Sequence, residues 1–352
     1  MTDAAPEVLV RVQNRIGHLT LNRPDALHAL TTNMCQIMIA ALQDWHKDGA
    51  IEMVLLDHTG ARGFCAGGDI RMLATSVQTD AVEARAFFYI EYQLDHLIKT
   101  YSKPVISVMD GTVMGGGVGI ALPASVRIAT ERTTFAMPET GIGLFPDVGG
   151  GWYLPRLPGA AGYWMGLTGA RLKAADCMEL GLTTHYIANA QLEAFKADLI
   201  ASTGPNRLDE ALSAHSSDPG PAPIAAQQAA IDTHFSAPTL EAVMDSLAAD
   251  DSDWARQQHA LLLTKSPQAL KVALRQMQTG AKATDFAQVL AMEYRISARV
   301  VSRPDFSEGV RAVIIDKDNA PLWAPARLQD VDTVLLDGIF APLPADQEWK
   351  PL

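Results

Sequence analysis

Three short apolar runs constrain this chain more than any other feature: MVLLDH at Met53–His58, PVISVMDG at Pro104–Gly111 and VRIAT at Val126–Thr130. Each has the length and composition of a buried strand, and a long helical stretch, about 81–100, lies between the first and the second. Strands alternating with helices in this way predict an α/β core with crossover connections. A β-hairpin over Val8–Val12 and Ile16–Leu21, turning at Asn14-Arg15, opens the core, and a helix over about 31–45 follows NRPDALHAL. Beyond Gly151 the strand signals give way to helical ones. Residues 202–253 are rich in Ser, Asp, Pro and Ala, with SSDPGPAP at 216–223, and read as a surface loop or linker. Amphipathic helix returns from Leu261, before an irregular end carrying Trp323, Pro325 and Trp349. The organisation expected is a core over 1–200, a variable loop or helical linker over 201–258, and a helical C-terminal region and tail over 259–352.

The 352 residues suffice for one large core with an appended segment, and 48% apolar against 19% charged residues is ordinary for a globular protein. A formal charge of −12 argues against a nucleic-acid-binding face, so any phosphate must be met by local basic groups. Cys35, Cys65 and Cys177 form neither a disulfide framework nor a metal pattern. The nine histidines show no HExxH-type spacing, and no metal or cofactor is expected. The start, MTDAAPEVLV, lacks the features of a secretion signal, and no run approaches the roughly 20 apolar residues of a membrane span. These features predict a cytoplasmic protein that meets neither nucleic acid nor membrane.

Two glycine-rich turns follow buried strands: GFCAGGDI at Gly63–Ile70 and DGTVMGGGVGIAL at Asp110–Leu122. In the second, the glycines lead straight into a helical run, so free amides stand at a helix N-terminus, where negative charge is favoured. One amide from each turn, donated to one carbonyl oxygen, makes an oxyanion hole. Alone, each turn is a weak signal. GGGVG also lacks the spacing of a dinucleotide-binding loop, and no GxSxG elbow occurs. Cys65, in the first turn, reads as a small buried side chain rather than a nucleophile.

Carboxylates able to work beside such a hole occur in MPETGIGLFPDVGGG. Glu139 follows Pro138 at the end of a short strand, and Asp147 follows a turn-rich apolar stretch. By themselves such acids are more often turn or cap residues than catalysts. A third acid emerges from helical spacing. Phe87, Ile90, Leu94 and Ile98 make an apolar stripe, and Glu91 stands on it, where a carboxylate is costly unless it is paired or lines a polar cavity.

Taken together, LNRPDALHAL, GFCAGGDI, DGTVMGGGVGIA and FAMPETGIGLFPDVGG resemble, in order and approximate spacing, the enoyl-CoA hydratase/isomerase (crotonase) superfamily. FAMPETGIGLFPDVGGGWYLPRL and the tail blocks SPQALKVALRQM, MEYRIS and DFSEGVRAVIIDKDNAPLWAP are similar to its branch of thioester hydrolases acting in valine breakdown. The resemblance implies a spiral of ββα units with a helical C-terminal region, and an acyl-CoA substrate of which coenzyme A is a part. It implies oxyanion amides at Gly68 and Gly116, with Glu91, Gly116, Glu139 and Asp147 around the acyl group. Coenzyme A is expected along Arg23, Ala26, Leu27, Ala66, Asp69 and Ile70. His28 stands where the family commonly has Asn. Homo-oligomers, as trimers or pairs of trimers, are also implied.

One position separates the reactions of this family. Its hydratases carry a second catalytic glutamate in the GGG-x-E portion of the second turn, and here that position is Gly119. Adding water across a double bond needs one group to activate water and another to deliver a proton to carbon, so its loss points to thioester hydrolysis. Glu139 is expected to attack the carbonyl or to activate water, with Asp147 orienting the water or the substrate. An enoyl-CoA hydratase or isomerase, and a non-catalytic acyl-CoA-binding module, are the alternatives.

Overall fold

The computed structural model describes residues 5–352, which divide into two compact units. The first comprises the chain up to Gly68 together with Leu94–Phe135 and Leu172–Ala225. Among the described residues its main sheet has the strand order β1-β2-β3-β5-β7-β9. These strands are β1 (Val8–Gln13), β2 (Ile16–Leu21), β3 (Met53–His58), β5 (Val105–Met109), β7 (Val126–Ala129) and β9 (His185–Tyr186). A smaller sheet, ordered β4-β6-β8, is made by β4 (Gly63–Cys65), β6 (Thr112–Met114) and β8 (Thr134–Ala136). Each of β3, β5 and β7 is thus followed at once by a strand of the small sheet, and each such pair advances both sheets by one strand. This is the spiral of an α/β fold of the crotonase type.

Local chemistry explains the main elements. β1 and β2 pair antiparallel around Asn14 and Arg15, both at positive φ, as the tightest hairpin turn requires. Asn14 is tied down there, its side-chain amide donating to the Ile200 carbonyl at 2.6 Å. β2, β3, β5, β7 and β9 run parallel to one another, and β2, β3 and β5 are buried almost throughout, hence their largely apolar sequences. On one face Ile16, Leu55, Ile106, Val108 and Ile128 pack with Phe195 and Leu199 of helix Asn189–Ala201 and with Leu212 of helix Arg207–His215. On the other, Trp45 of α1 (Thr32–Lys47) lies so close over Gly17 that a Cβ there would overlap the indole. Thr31 caps α1, its hydroxyl accepting from the Met34 amide.

The second unit comprises Asp69–Gln93, Ala136–Arg171 and Ala226–Leu352 and is helical. It holds α2 (Ile70–Val77) and the first part of α3 (Val82–Lys99). Its later helices begin at short polar caps whose side chains accept from the first turn: Thr239, Ser252, Ser266, Asp285 and Asp332. Among the described residues no helix is long and apolar enough to cross a membrane.

Two expectations change here. The stretch 202–253 is not a loop: helices Arg207–His215, Gln228–Phe235 and Leu240–Ala248 occupy most of it, and irregular chain is confined to short connections such as 216–222. Its Leu, Ile, Phe and Val residues are spaced to be buried, Ile231, Phe235, Leu240, Val243 and Leu247 among them, and that burial outweighs a polar, proline-rich composition. The irregular end likewise contains a helix, Thr333–Phe340.

Candidate active site

In the first unit the two glycine-rich turns come together. The Gly67 backbone, at φ +118, passes so near the second turn that a Cβ built on it would stand 3.7 Å from the Gly116 amide nitrogen. Gly116 is the first residue of α4 (Gly116–Ala121), whose cap, Gly115, has no side chain to accept its amides. Gly68 makes an isolated bridge to Leu30. Gly119 lies buried inside α4. Cys65 is fully buried and its thiol donates to the His28 carbonyl at 3.2 Å, the packing role expected of it.

The coenzyme A edge is assembled around a 3-10 turn, Pro24–Ala26, with Ala26 exposed. Leu27 stands in the left-handed region, and its carbonyl accepts from the Ala66 amide at 3.0 Å. His28 locks this edge: its Nδ1 accepts from the Arg23 amide at 2.9 Å, and its Nε2 lies 2.8 Å from the Thr59 carbonyl. An Nε2–H tautomer satisfies both, so His28 bridges two segments as a neutral ring, its pKa lowered by burial. Arg23 pairs with Glu7 at 3.1 Å, so a phosphate would have to compete for it. In the second unit Asp69 caps α2, its carboxylate accepting from the Met72 amide at 3.2 Å, and Ile70 opens that helix, half-buried.

The three acids singled out from the sequence all fall in the second unit, and all are buried: Glu91 is 2%, Glu139 5% and Asp147 7% exposed. Glu139 opens a 3-10 turn, Glu139–Ile142, and its carbonyl closes that turn by accepting from Leu144 at 3.0 Å. The turn is anchored on both sides, by Thr140 Oγ1 donating to the Leu167 carbonyl at 3.0 Å and by the Ser266 amide donating to the Thr140 carbonyl. Asp147 accepts a 2.7 Å hydrogen bond from the Tyr92 hydroxyl on α3. Glu139 Oε2 and Glu91 Oε1 find no hydrogen-bond partner among the described residues. Buried carboxylate oxygens without partners are expensive, and such expense is typical of groups held ready for a substrate.

The sequence profile of the enoyl-CoA hydratase/isomerase family matches residues 16–340. The chain belongs to this family. It is 41% identical to the zebrafish (Danio rerio) "3-hydroxyisobutyryl-CoA hydrolase, mitochondrial" over 97% of its own length and 91% of the relative's. The human protein of the same name is 40% identical, over 97% and 90%. Among solved structures, a carnitinyl-CoA dehydratase from Mycobacterium thermoresistibile superposes with a TM-score of 0.92 at 39% identity, over 98% of each chain. An enoyl-CoA hydratase from Rhodobacter sphaeroides superposes at 0.89 and 36% identity, over 98% of this chain and 100% of the other.

For a member of this family, the electrostatics of the acid cluster suit proton transfer. Burial first, and then the charge of Asp147, raise the pKa values of Glu91 and Glu139 well above the ordinary carboxylate range. Lys265 pulls Glu139 the other way. Asp147 is raised by burial to about 6, and its bonds from Tyr92 and from its own backbone keep it from going higher. A further acid, Glu293, is fully buried in helix Phe286–Val300 and is pushed by burial to about 8.

These shifts carry a sign for stability. Unfolded carboxylates release their protons near pH 4, whereas folded Glu293 keeps its proton to about pH 8, so the native state binds more protons in between. Stability contributed by such a group is present at low pH and lost as pH rises through the folded value. Below about 6.5 the half-buried His58, whose pKa burial lowers to about 4, has the opposite slope. The thermal midpoint is therefore expected to fall between pH 6.5 and pH 8, and a scanning-fluorimetry series in which it rises over that window would refute the buried acids.

Tyr92 and Glu293 were not singled out from the sequence. Tyr92 carries no sequence signal beyond its place beside Glu91. Glu293 does: Val289, Ile296 and Val300 form a helical stripe on which it stands, the same signal that marked Glu91.

Proposed function

We propose that this chain hydrolyses 3-hydroxyisobutyryl-CoA to 3-hydroxyisobutyrate and free coenzyme A, as a step of valine breakdown. The observation that carries this reading is the end-to-end likeness, at 40–41% identity, to proteins bearing that hydrolase's name. Gly119 supports it, because α4 offers no second carboxylate to protonate carbon as hydration demands.

In this reading the amides of Gly68 and Gly116 donate to the thioester carbonyl oxygen. Attack at the carbonyl carbon moves the π pair onto that oxygen, where the two donors stabilise it. Collapse restores the C=O bond and breaks the C–S bond, and coenzyme A leaves as thiolate. In its ionised form Glu139 either takes the proton of the attacking water and returns it to sulfur, or itself attacks the thioester to form an acyl anhydride, which water then opens at the Glu139 carbonyl. A single turnover in ¹⁸O-water distinguishes these routes, since only the anhydride route labels Glu139. Asp147, held by Tyr92, orients the water or the acyl group, and Glu91 meets the substrate's 3-hydroxyl, which is a partner for its free Oε1. Arg23, Ala26, Leu27, Ala66, Asp69 and Ile70 flank coenzyme A. The three buried thiols suit a reducing compartment, and the working place proposed is the cytoplasm, as a trimer or hexamer whose mass light scattering would give.

The names of the two solved relatives, a dehydratase and a hydratase, favour dehydration or hydration as the second reading. A thiol-release assay over a panel of acyl-CoA esters tests both. Release from 3-hydroxyisobutyryl-CoA is expected, and conversion of crotonyl-CoA to a hydroxyacyl-CoA without release would overturn the hydrolase reading.

A further inference from the structure

The backbone just after Asp147 is in an unfavourable conformation. Val148 and Gly149 are consecutive left-handed residues, at φ 49 and 89, and for a β-branched side chain that region is costly. Something must hold the turn there. The geometry of the turn aims the amides of Gly149 and Gly151 at one carboxylate: Gly149 donates to Glu293 Oε2 at 2.7 Å, and Gly151 to Glu293 Oε1 at 2.8 Å. Gln276 completes the arrangement, its Nε2 donating to Glu293 Oε1 at 2.8 Å and to the Pro146 carbonyl at 2.6 Å. The chain is thus gripped immediately before Asp147 by Gln276 and immediately after it by Glu293.

The grip leaves no slack. A Cβ at position 151 would stand 3.0 Å from Glu293 Oε1 and 3.1 Å from Gln276 Nε2, and one at Gly280 would overlap the Gly151 carbonyl. Both side chains project from helices with polar caps, Pro267–Gly280 from Ser266 and Phe286–Val300 from Asp285. A buried acid is an expensive way to fill a core, and an apolar side chain of the same volume would leave the Gly149 and Gly151 amides without acceptors. Its presence calls for a reason that lies in the turn it holds.

We infer that Glu293, acting with Gln276, is the positioning residue that fixes the Asp147 carboxylate against Tyr92. The inference rests on the reading of Asp147 as a working carboxylate of the hydrolase. Glu293 touches no substrate and acts only through the backbone of 146–151. Glutamine at 293 would turn an NH2 group toward a backbone N–H, so one of the two amides would lose its acceptor and the turn could relax.

The test is a double-mutant cycle on the full chain, assaying thiol release from 3-hydroxyisobutyryl-CoA with thermal unfolding alongside. Glu293→Gln is expected to lower kcat roughly 10- to 100-fold while KM stays within about twofold. In an Asp147→Asn background the same change should cost less than about threefold, because the group it positions has already gone. An equal loss in both backgrounds marks a residue that merely stabilises the fold and overturns the inference, as does an unchanged kcat. If Glu293→Gln does not fold, Gln276→Met is taken through the same cycle, where an equal loss in both backgrounds or an unchanged kcat again overturns the inference. Full activity in Asp147→Asn alone would overturn the reading of Asp147 as a working carboxylate and the inference with it, whereas absence of thiol release from the parent chain would overturn the hydrolase reading; both outcomes are distinct from failure of the grip.

Discussion

Glu139→Gln is expected to lower kcat for thiol release roughly 10²- to 10⁴-fold while leaving KM for the acyl-CoA within a few-fold. Glutamine matches the shape of the glutamate, so the turn anchored by Thr140 and the packing around it persist. What disappears is a group able to take a proton or attack a carbonyl. The same change removes a buried acid whose Oε2 has no partner among the described residues and whose charged form burial disfavours. At pH 8 the variant is therefore expected to melt no lower than the parent when the two are compared by scanning calorimetry. Loss of activity without loss of stability is the signature of a group kept for function. A variant that retains full thiol release would sink the assignment of Glu139.

Gly117→Ala is expected to be nearly as damaging to activity, without touching a carboxylate. A single Cβ at Gly117 would overlap the Cys65 carbonyl oxygen and lie 2.8 Å from the Cys65 Cβ, and backbone at this depth has nowhere to retreat. The first glycine-rich turn must move off the second, which separates the amides of Gly68 and Gly116. Losing one donor of such a pair costs roughly 10²- to 10³-fold in kcat. The overpacking adds about 1–3 kcal/mol of destabilisation. Gly49→Ala is the control, because a Cβ there meets nothing within 4 Å, and both kcat and the thermal midpoint should stay at the parent's values. If Gly117→Ala turns over at the parent's rate, the close approach of the two turns is not what activates the carbonyl.

Where one residue's neighbours in the chain decide its environment, the sequence was a sufficient guide. The apolar run MVLLDH is β3 to the residue, and Asn14-Arg15 turns the hairpin, because strand length and turn conformation are set within a few residues. Glu91 was legible because helical periodicity is a local property that puts a charge visibly on an apolar stripe. The helices within 202–253 are obscured by a polar, proline-rich composition that reads equally as loop or as helical linker, although periodic burial is present there too. Glu293 was missed for a related reason: its stripe was readable, but its partners lie far from it in the chain.

The sequence by itself determined the α/β core, the two glycine-rich turns, the acids at 91, 139 and 147, and, through the motifs these make, membership of the family. Only the tertiary structure decided what those acids meet. Tyr92 reaches Asp147, Glu293 and Gln276 hold the turn that carries it, and Glu139 and Glu91 are each left with an oxygen unpartnered among the described residues. The physical reason is that a strand or a helical stripe is specified by residues adjacent along the chain. The protonation and aim of a buried carboxylate depend instead on dielectric surroundings and donors brought from distant segments, and these exist only once the chain has folded.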